Sequence, residues 1–173
     1  MGVARIQLEA LKYILDIHEY TPIVSNSGKS YGELEVAMIP SVIDCQTEVE
    51  DLEEEGVLGK HMEITTQVRS VRGLSFDAVQ SFKSFFVRWR ILSREWTKSV
   101  CFPLDSINPT IGYQSRVTAK VTRDLCKFFC SAALCIEVSH TTILVVFSTS
   151  SHNLTIIPLF FLPSYFCAGM GKR

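Results

Sequence analysis

Between His61 and Leu74 the chain reads HMEITTQVRSVRGL, and Met62, Ile64, Thr66 and Val68 alternate with Glu63, Thr65, Gln67 and Arg69. A two-residue period places one set of side chains on each face of an extended strand. A helix needs the apolar set every three or four residues, so this stretch cannot bury its apolar half as one. The same alternation runs through Glu33-Leu34-Glu35-Val36-Ala37-Met38-Ile39-Pro40. Two long strands, each with one dry and one wet face, require a sheet with a core on one side.

The rest of the chain supplies partners for such a sheet. In Phe86 to Leu92, Val87, Trp89 and Ile91 face one way and Arg88 and Arg90 the other, and Trp96 to Phe102 can pair back across the turn Ser93-Arg94-Glu95. Ile107-Asn108-Pro109 reads as a loop, Ser115 to Val121 as a strand, Thr122 to Cys130 as a short helix and Ala133 to Val138 as a further strand. Ahead of them, Leu8, Leu11, Ile14, Leu15 and His18 recur at helical steps, which predicts an amphipathic helix ended by Thr21-Pro22. Ser75 to Ser84 reads as a loop. The expected fold is mainly β, an antiparallel sandwich preceded by an amphipathic helix. At 173 residues with 47% hydrophobic composition the chain is long enough for one compact core.

Charge is unevenly spread. Residues 1–59 hold 3 Lys/Arg against 12 Asp/Glu, residues 60–127 hold 12 against 5, and the last 46 hold 2 against 1. Asp44 to Glu55 carries seven carboxylates and no cation, a pattern that predicts a solvated, mobile loop. The basic middle contains the candidate binding residues Lys83, Arg88, Arg90, Arg94 and Lys98, which strand pairing would gather into a cationic patch. Such a patch either meets anionic lipid headgroups or a protein partner, or is a solvated strand face paired with the acidic run.

Motifs for chemistry are wanting. Gly28-Lys29-Ser30 has the look of a phosphate loop, but the glycine required ahead of the four residues that precede the Gly-Lys pair is replaced by Ile23, and a strand follows instead of a helix. It reads as a polar turn. His18, His61, His140 and His152 are scattered, with His18 assigned to the core or boundary of the predicted helix. No CxxC pair or zinc-ligand spacing occurs among Cys45, Cys101, Cys126, Cys130, Cys135 and Cys167, and apolar surroundings predict buried thiols at Cys126, Cys130 and Cys135, as in a reducing compartment. A calcium site on a sandwich needs several aspartates on two loops, and the loop after the second long strand offers Asp77 alone. The sequence predicts a non-enzyme without cofactor or metal, and no nucleic-acid partner. The N-terminus lacks the apolar stretch of a secretion signal.

Several segments in order carry a resemblance: LEALKYILDI (Leu8 to Ile17), GELEVAMIP (Gly32 to Pro40), an acidic loop, LGKHMEITTQVRSVRGL (Leu58 to Leu74), FFVRWRI (Phe85 to Ile91) and INPTIGYQSRV (Ile107 to Val117). Together they resemble the C2-like region of kinesin-3 motors that lies downstream of the motor and forkhead-associated domains. The resemblance implies three parts: residues 1–31 following a forkhead-associated domain, a C2-like region over 32–139, and a divergent tail over 140–173. It also implies a non-motor interaction or regulatory module in microtubule-based organelle transport. Its partners would be proteins or cargo of a kinesin-like motor, with microtubules reached only through a motor domain this sequence does not contain. The place of action would be cytoplasmic, on cytoskeleton or organelles. The alternative is a calcium-independent module for anionic membranes, using the basic strand face and the apolar tail.

The tail departs from the family. Leu154 to Gly169 is apolar but 16 residues long and interrupted by Pro158 and Pro163, short of the roughly 20 residues a spanning helix needs. It predicts an irregular, adhesive segment on a sandwich left incomplete, with Ile143 to Phe147 able to serve as a substitute strand.

Overall fold

A computed structural model describes residues 1–43, 50–53, 57–91 and 95–140. They belong to a compact unit spanning Met1–Thr141. Its strands are β1 (Gly2–Gln7), β2 (Ile17–Val24), β3 (Ser30–Ile43), β4 (His61–Arg72), β5 (Ser84–Trp89), β6 (Thr97–Lys98), β7 (Phe102–Pro103), β8 (Thr110–Lys120) and β9 (Ala133–His140). Two short helices join them, α1 (Phe76–Ser81) and α2 (Arg123–Ser131). The mainly β, antiparallel fold expected from the alternating patterns is what forms.

The strands hydrogen-bond in the order β6-β5-β9-β1-β2-β3-β4-β8, with β7 also on β5. One link in that order is thin. β1 pairs with β9 along its whole length, Gly2 opposite Val138 through Gln7 opposite Ala133, but meets β2 only at Val3 and Val24. The sheet folds along this line into two layers, β6/β7-β5-β9-β1 and β2-β3-β4-β8. Gly2 is at the fold line, where a Cβ would stand 2.6 Å from the Val24 carbonyl oxygen, so only glycine lets the strands approach.

One core fills the space between the layers. Leu34, Val36 and Met38 of β3 and Met62, Ile64 and Val68 of β4 are fully buried against Ile6, Val87, Trp89, Ile136 and Phe129. The alternation that predicts β3 and β4 thus identifies their dry faces correctly. The opposite margin of the sandwich is uneven, since β8 runs for 11 residues whereas β6 and β7 have two each. Among the described residues the sheet is nearly closed, and this margin is its uneven end.

Four expectations need correction. The predicted helix over residues 8–19 is absent: a 3-10 helix, Glu9–Tyr13, ends at Ile14 in the left-handed region with φ 54°, and Ile17–Val24 is a strand. Leu8 and Leu11 are buried by that single turn and Ile17, Thr21 and Ile23 by the strand, so the three-four spacing arose from two elements laid end to end. Residues 1–31 are therefore an integral part of the same sandwich as the strands that follow. The segment 75–84 holds α1, which the Ser75 hydroxyl caps by accepting from Ala78 N–H at 3.3 Å.

The acidic run is anchored where it is described. Leu52 is fully buried, its N–H donates to the Lys12 carbonyl at 3.0 Å, and Glu53 pairs with Lys12 at 3.0 Å. Of the thiols, Cys126 is buried on α2 whereas Cys130 and Cys135 are exposed, because they point away from the core on α2 and β9. The tail expectations, Ile143 to Phe147 included, and the remainder of the acidic run lie outside the described residues. Among the described residues no helix is long and apolar enough to cross a membrane.

Candidate functional site

The basic patch forms on the outer face of β5 from a short hairpin. Arg88 stands opposite Lys98 and Trp89 opposite Thr97 in the β5–β6 pairing. That register brings Trp96, just before β6, beside Arg90. Val87 and Trp89 point into the core, which forces Phe86, Arg88 and Arg90 outward.

Cations and aromatic rings then interleave. The Arg88 guanidinium carbon lies 4.7 Å from the centre of the Trp96 ring and that of Arg90 5.0 Å from it, while Lys98 Nζ sits 4.1 Å from the Phe86 ring centre. Each cation lies over the negative face of a ring, which helps to order these long side chains. Trp96 stays 43% exposed and Val100, past the end of β6, 68% exposed.

The five sequence candidates separate. Arg88, Arg90 and Lys98 come together. Lys83 does not: it precedes β5 at the far end from Arg90, and at roughly 3.3 Å per residue the two are about 23 Å apart. The Lys83 carbonyl accepts from Leu104 N–H at 2.9 Å, tying the hairpin's return to that end of the strand. Arg94 lies outside the described residues.

Arg88 has a carboxylate partner, and it is not the acidic run. Its Nε donates to Glu137 Oε2 on β9 at 2.7 Å. Other arginines on outer strand faces are matched too: Arg72 with Glu33 at 2.7 Å, Arg69 with Glu35 at 3.9 Å and Arg116 with Glu63 at 3.7 Å. Arg90 and Lys98 have no carboxylate partner among the described residues. They are the cations that an incoming anion meets uncompensated.

Sequence reading missed Trp96, Phe86 and Glu137 as members of this face. The local signal for Trp96 was misleading, because a turn at Ser93-Arg94-Glu95 would set Lys98 opposite Arg90, whereas the observed register, with Arg88 opposite Lys98 and Trp89 opposite Thr97, brings Trp96 there. Glu137 carried none, since the β5–β9 pairing joins segments far apart in the chain.

A second polar cluster lies on the outer face of β2, β3 and β4. His18 is exposed on β2, not on a helix, with Nε2 3.0 Å from Glu35 Oε1, and Ser70 Oγ donates to Glu35 Oε2 at 2.6 Å. Serine, histidine and carboxylate are present, but the carboxylate stands between the other two. A nucleophilic triad needs histidine in the middle to take the serine proton. Here Ser70 and His18 both stabilise the Glu35 anion and hold its pKa below the ordinary carboxylate range, the Ser70 bond most strongly.

Gly28-Lys29-Ser30 lies in the hairpin between β2 and β3, with Gly28 at φ 82° and Lys29 N–H donating to Ser25 Oγ at 3.0 Å. Ile23, at the position of the missing glycine, is fully buried in β2. Asp77 is in the first turn of α1. No group of three or more His, Cys, Asp or Glu side chains converges as a metal site among the described residues. No family model matches the chain, and no curated protein matches it.

Proposed function

We propose that this chain is a binding module that engages anionic membrane surfaces without calcium, through the cation–aromatic face of β5. The observation that carries this reading is the pair Arg90 and Lys98, two cations without carboxylate partners among the described residues, Arg90 over the half-exposed Trp96 and Lys98 over Phe86. Cations attract lipid phosphates, while an amphipathic indole suits the depth of the headgroups, where tryptophan is enriched. The nearby exposed Val100 adds apolar area to the same edge.

The kinesin-3 resemblance of the segments from Leu8 to Val117 supports a setting for this activity: an interaction and regulatory module of a kinesin-like transport protein, with no ATPase of its own, that meets protein partners or the membrane of cargo. The buried Ile23 and the hairpin position of Gly28-Lys29-Ser30 accord with a module that does not hold nucleotide.

The test is co-sedimentation of the full chain with phosphatidylcholine vesicles, with and without phosphatidylserine, at low and high salt and in the presence of chelator. Binding is expected only with phosphatidylserine, to weaken with salt, and to be indifferent to chelator. Arg90→Ala with Lys98→Ala should lower affinity about thirtyfold, at about 1 kcal/mol per cation. Equal binding to both vesicle types, or an unaffected double variant, would overturn the reading.

A further inference from the structure

Among the described residues the margin of the second layer, β8, is a sheet edge. β8 pairs with β4 over Thr110–Lys120, and among the described residues no strand pairs with its other side. Facing it, the first layer ends in the two-residue strands β6 and β7. The margins touch at Tyr113, whose hydroxyl donates to the Lys98 carbonyl at 3.1 Å and whose ring meets Trp89 edge-on at 5.6 Å.

Buried polar atoms without partners lie at this margin. Trp89 Nε1, Thr66 Oγ1 and Ser115 Oγ are each buried and make no hydrogen bond. Trp89 is fully buried and Thr66 1% exposed. Ser115 faces Thr66 across the β4–β8 pairing and shares the inner face of β8 with Tyr113, two residues away. Unsatisfied buried groups are costly; Thr66 already has both neighbouring strands, so Ser115 Oγ, on the unpaired strand, is the one that a new neighbour could satisfy.

The geometry points to strand addition: an extended acidic segment of a partner protein pairs along the free side of β8, with carboxylates outward and small polar side chains inward. Main-chain hydrogen bonds supply affinity and alternate side chains supply selection. A residue opposite Ser115 would place its Cβ about 5 Å away, close enough for a hydroxyl or amide to reach Ser115 Oγ. The outer face of β8 carries Arg116, which Glu63 of β4 meets at 3.7 Å, and Lys120, with no carboxylate on β8 itself, and the opposite margin adds Arg90 and Lys98. The same charges disfavour a second copy of β8, since antiparallel self-pairing would bring cations towards cations.

The test uses the full chain and a short fluorescein-labelled peptide of alternating glutamate and threonine, followed by fluorescence polarisation and amide hydrogen exchange. Binding is expected, with new protection in Thr110–Lys120 and a shift of the Trp89 indole N–H resonance. Arg116→Glu with Lys120→Glu should weaken it about tenfold. Methylating alternate backbone nitrogens of the peptide, which keeps its charge but removes ladder donors, should also weaken it about tenfold or more. If the methylated peptide binds equally well, the contact is merely electrostatic and strand addition is wrong. If peptide fails to bind while β8 amides are already protected in the full chain, the chain's own tail or a second copy occupies the edge and the proposal fails.

Discussion

Arg88 and Glu137 face one another across the β5–β9 pairing, and the same guanidinium that donates to the carboxylate also lies over Trp96. Glu137 therefore tethers one of the three cations of the basic face while cancelling its charge. Glu137→Ala is expected to cost about 1–2 kcal/mol in urea denaturation, since Arg88 is 23% exposed and loses a charge-assisted bond. It should at the same time raise affinity for phosphatidylserine vesicles about fivefold by releasing a cation. An unchanged affinity would remove Arg88 from the binding face.

Acid should unfold the protein partly through Glu35. Its folded pKa lies below the ordinary value, first because of the Ser70 hydrogen bond and next because of His18. The unfolded chain then binds the proton more readily, so the stabilisation is fully present above the unfolded value, about 4.3, and is lost as pH falls through the folded value. Urea midpoints of the parent should drop more steeply below about pH 5 than those of Glu35→Gln. Parallel curves would show that Glu35 is not linked to folding.

His140 works in a higher window. Burial, followed by the nearby N-terminal amino group, lowers its pKa, and its ring stacks on Phe82 with centres 4.0 Å apart while Nδ1 is buried without a partner. The unfolded chain binds a proton near pH 6.5, where folded His140 still resists one, so stability should decline as pH falls from about 7 through the folded value. His140→Phe keeps the stack and removes the charge. It should flatten the dependence below about pH 7, and a slope equal to the parent's would exclude His140 as its source.

The tail prediction rests on composition. Leu159, Phe160, Phe161 and Phe166 fall in a stretch without charge, so the full chain is expected to self-associate and a version ending after Phe147 to be more soluble. Sedimentation velocity at several concentrations checks this. A monomeric full chain beside an aggregating shorter one would show that the tail completes the sandwich.

What the sequence discloses depends on how local the cause is. β3 and β4 are legible because each carries its own alternation, and α2 because Thr122 caps it, accepting from Leu125 N–H at 3.1 Å. The turn at Ile14 is not, since nothing but tertiary packing explains a β-branched residue at φ 54°. Leu52 is hidden among carboxylates, although it is the one residue of the described acidic stretch that belongs in the core. Arg88 and Arg90 are legible as an outward pair, while the Glu137 that restrains one of them depends on a long-range pairing with no local mark.

The pairing of β1 with β9 has a consequence for how the molecule is made. Gly2–Gln7 is made before the other described strands, yet its principal neighbour, Ala133–His140, is made after all of them. Until then Ala4 and Ile6, both destined to be fully buried, have no sheet to join apart from one contact with β2. These strands cannot close into the sheet progressively during translation, because β1 gains its full partner only with β9, a long-range pairing of the kind that slows folding and leaves Ala4 and Ile6 open to chaperones until then.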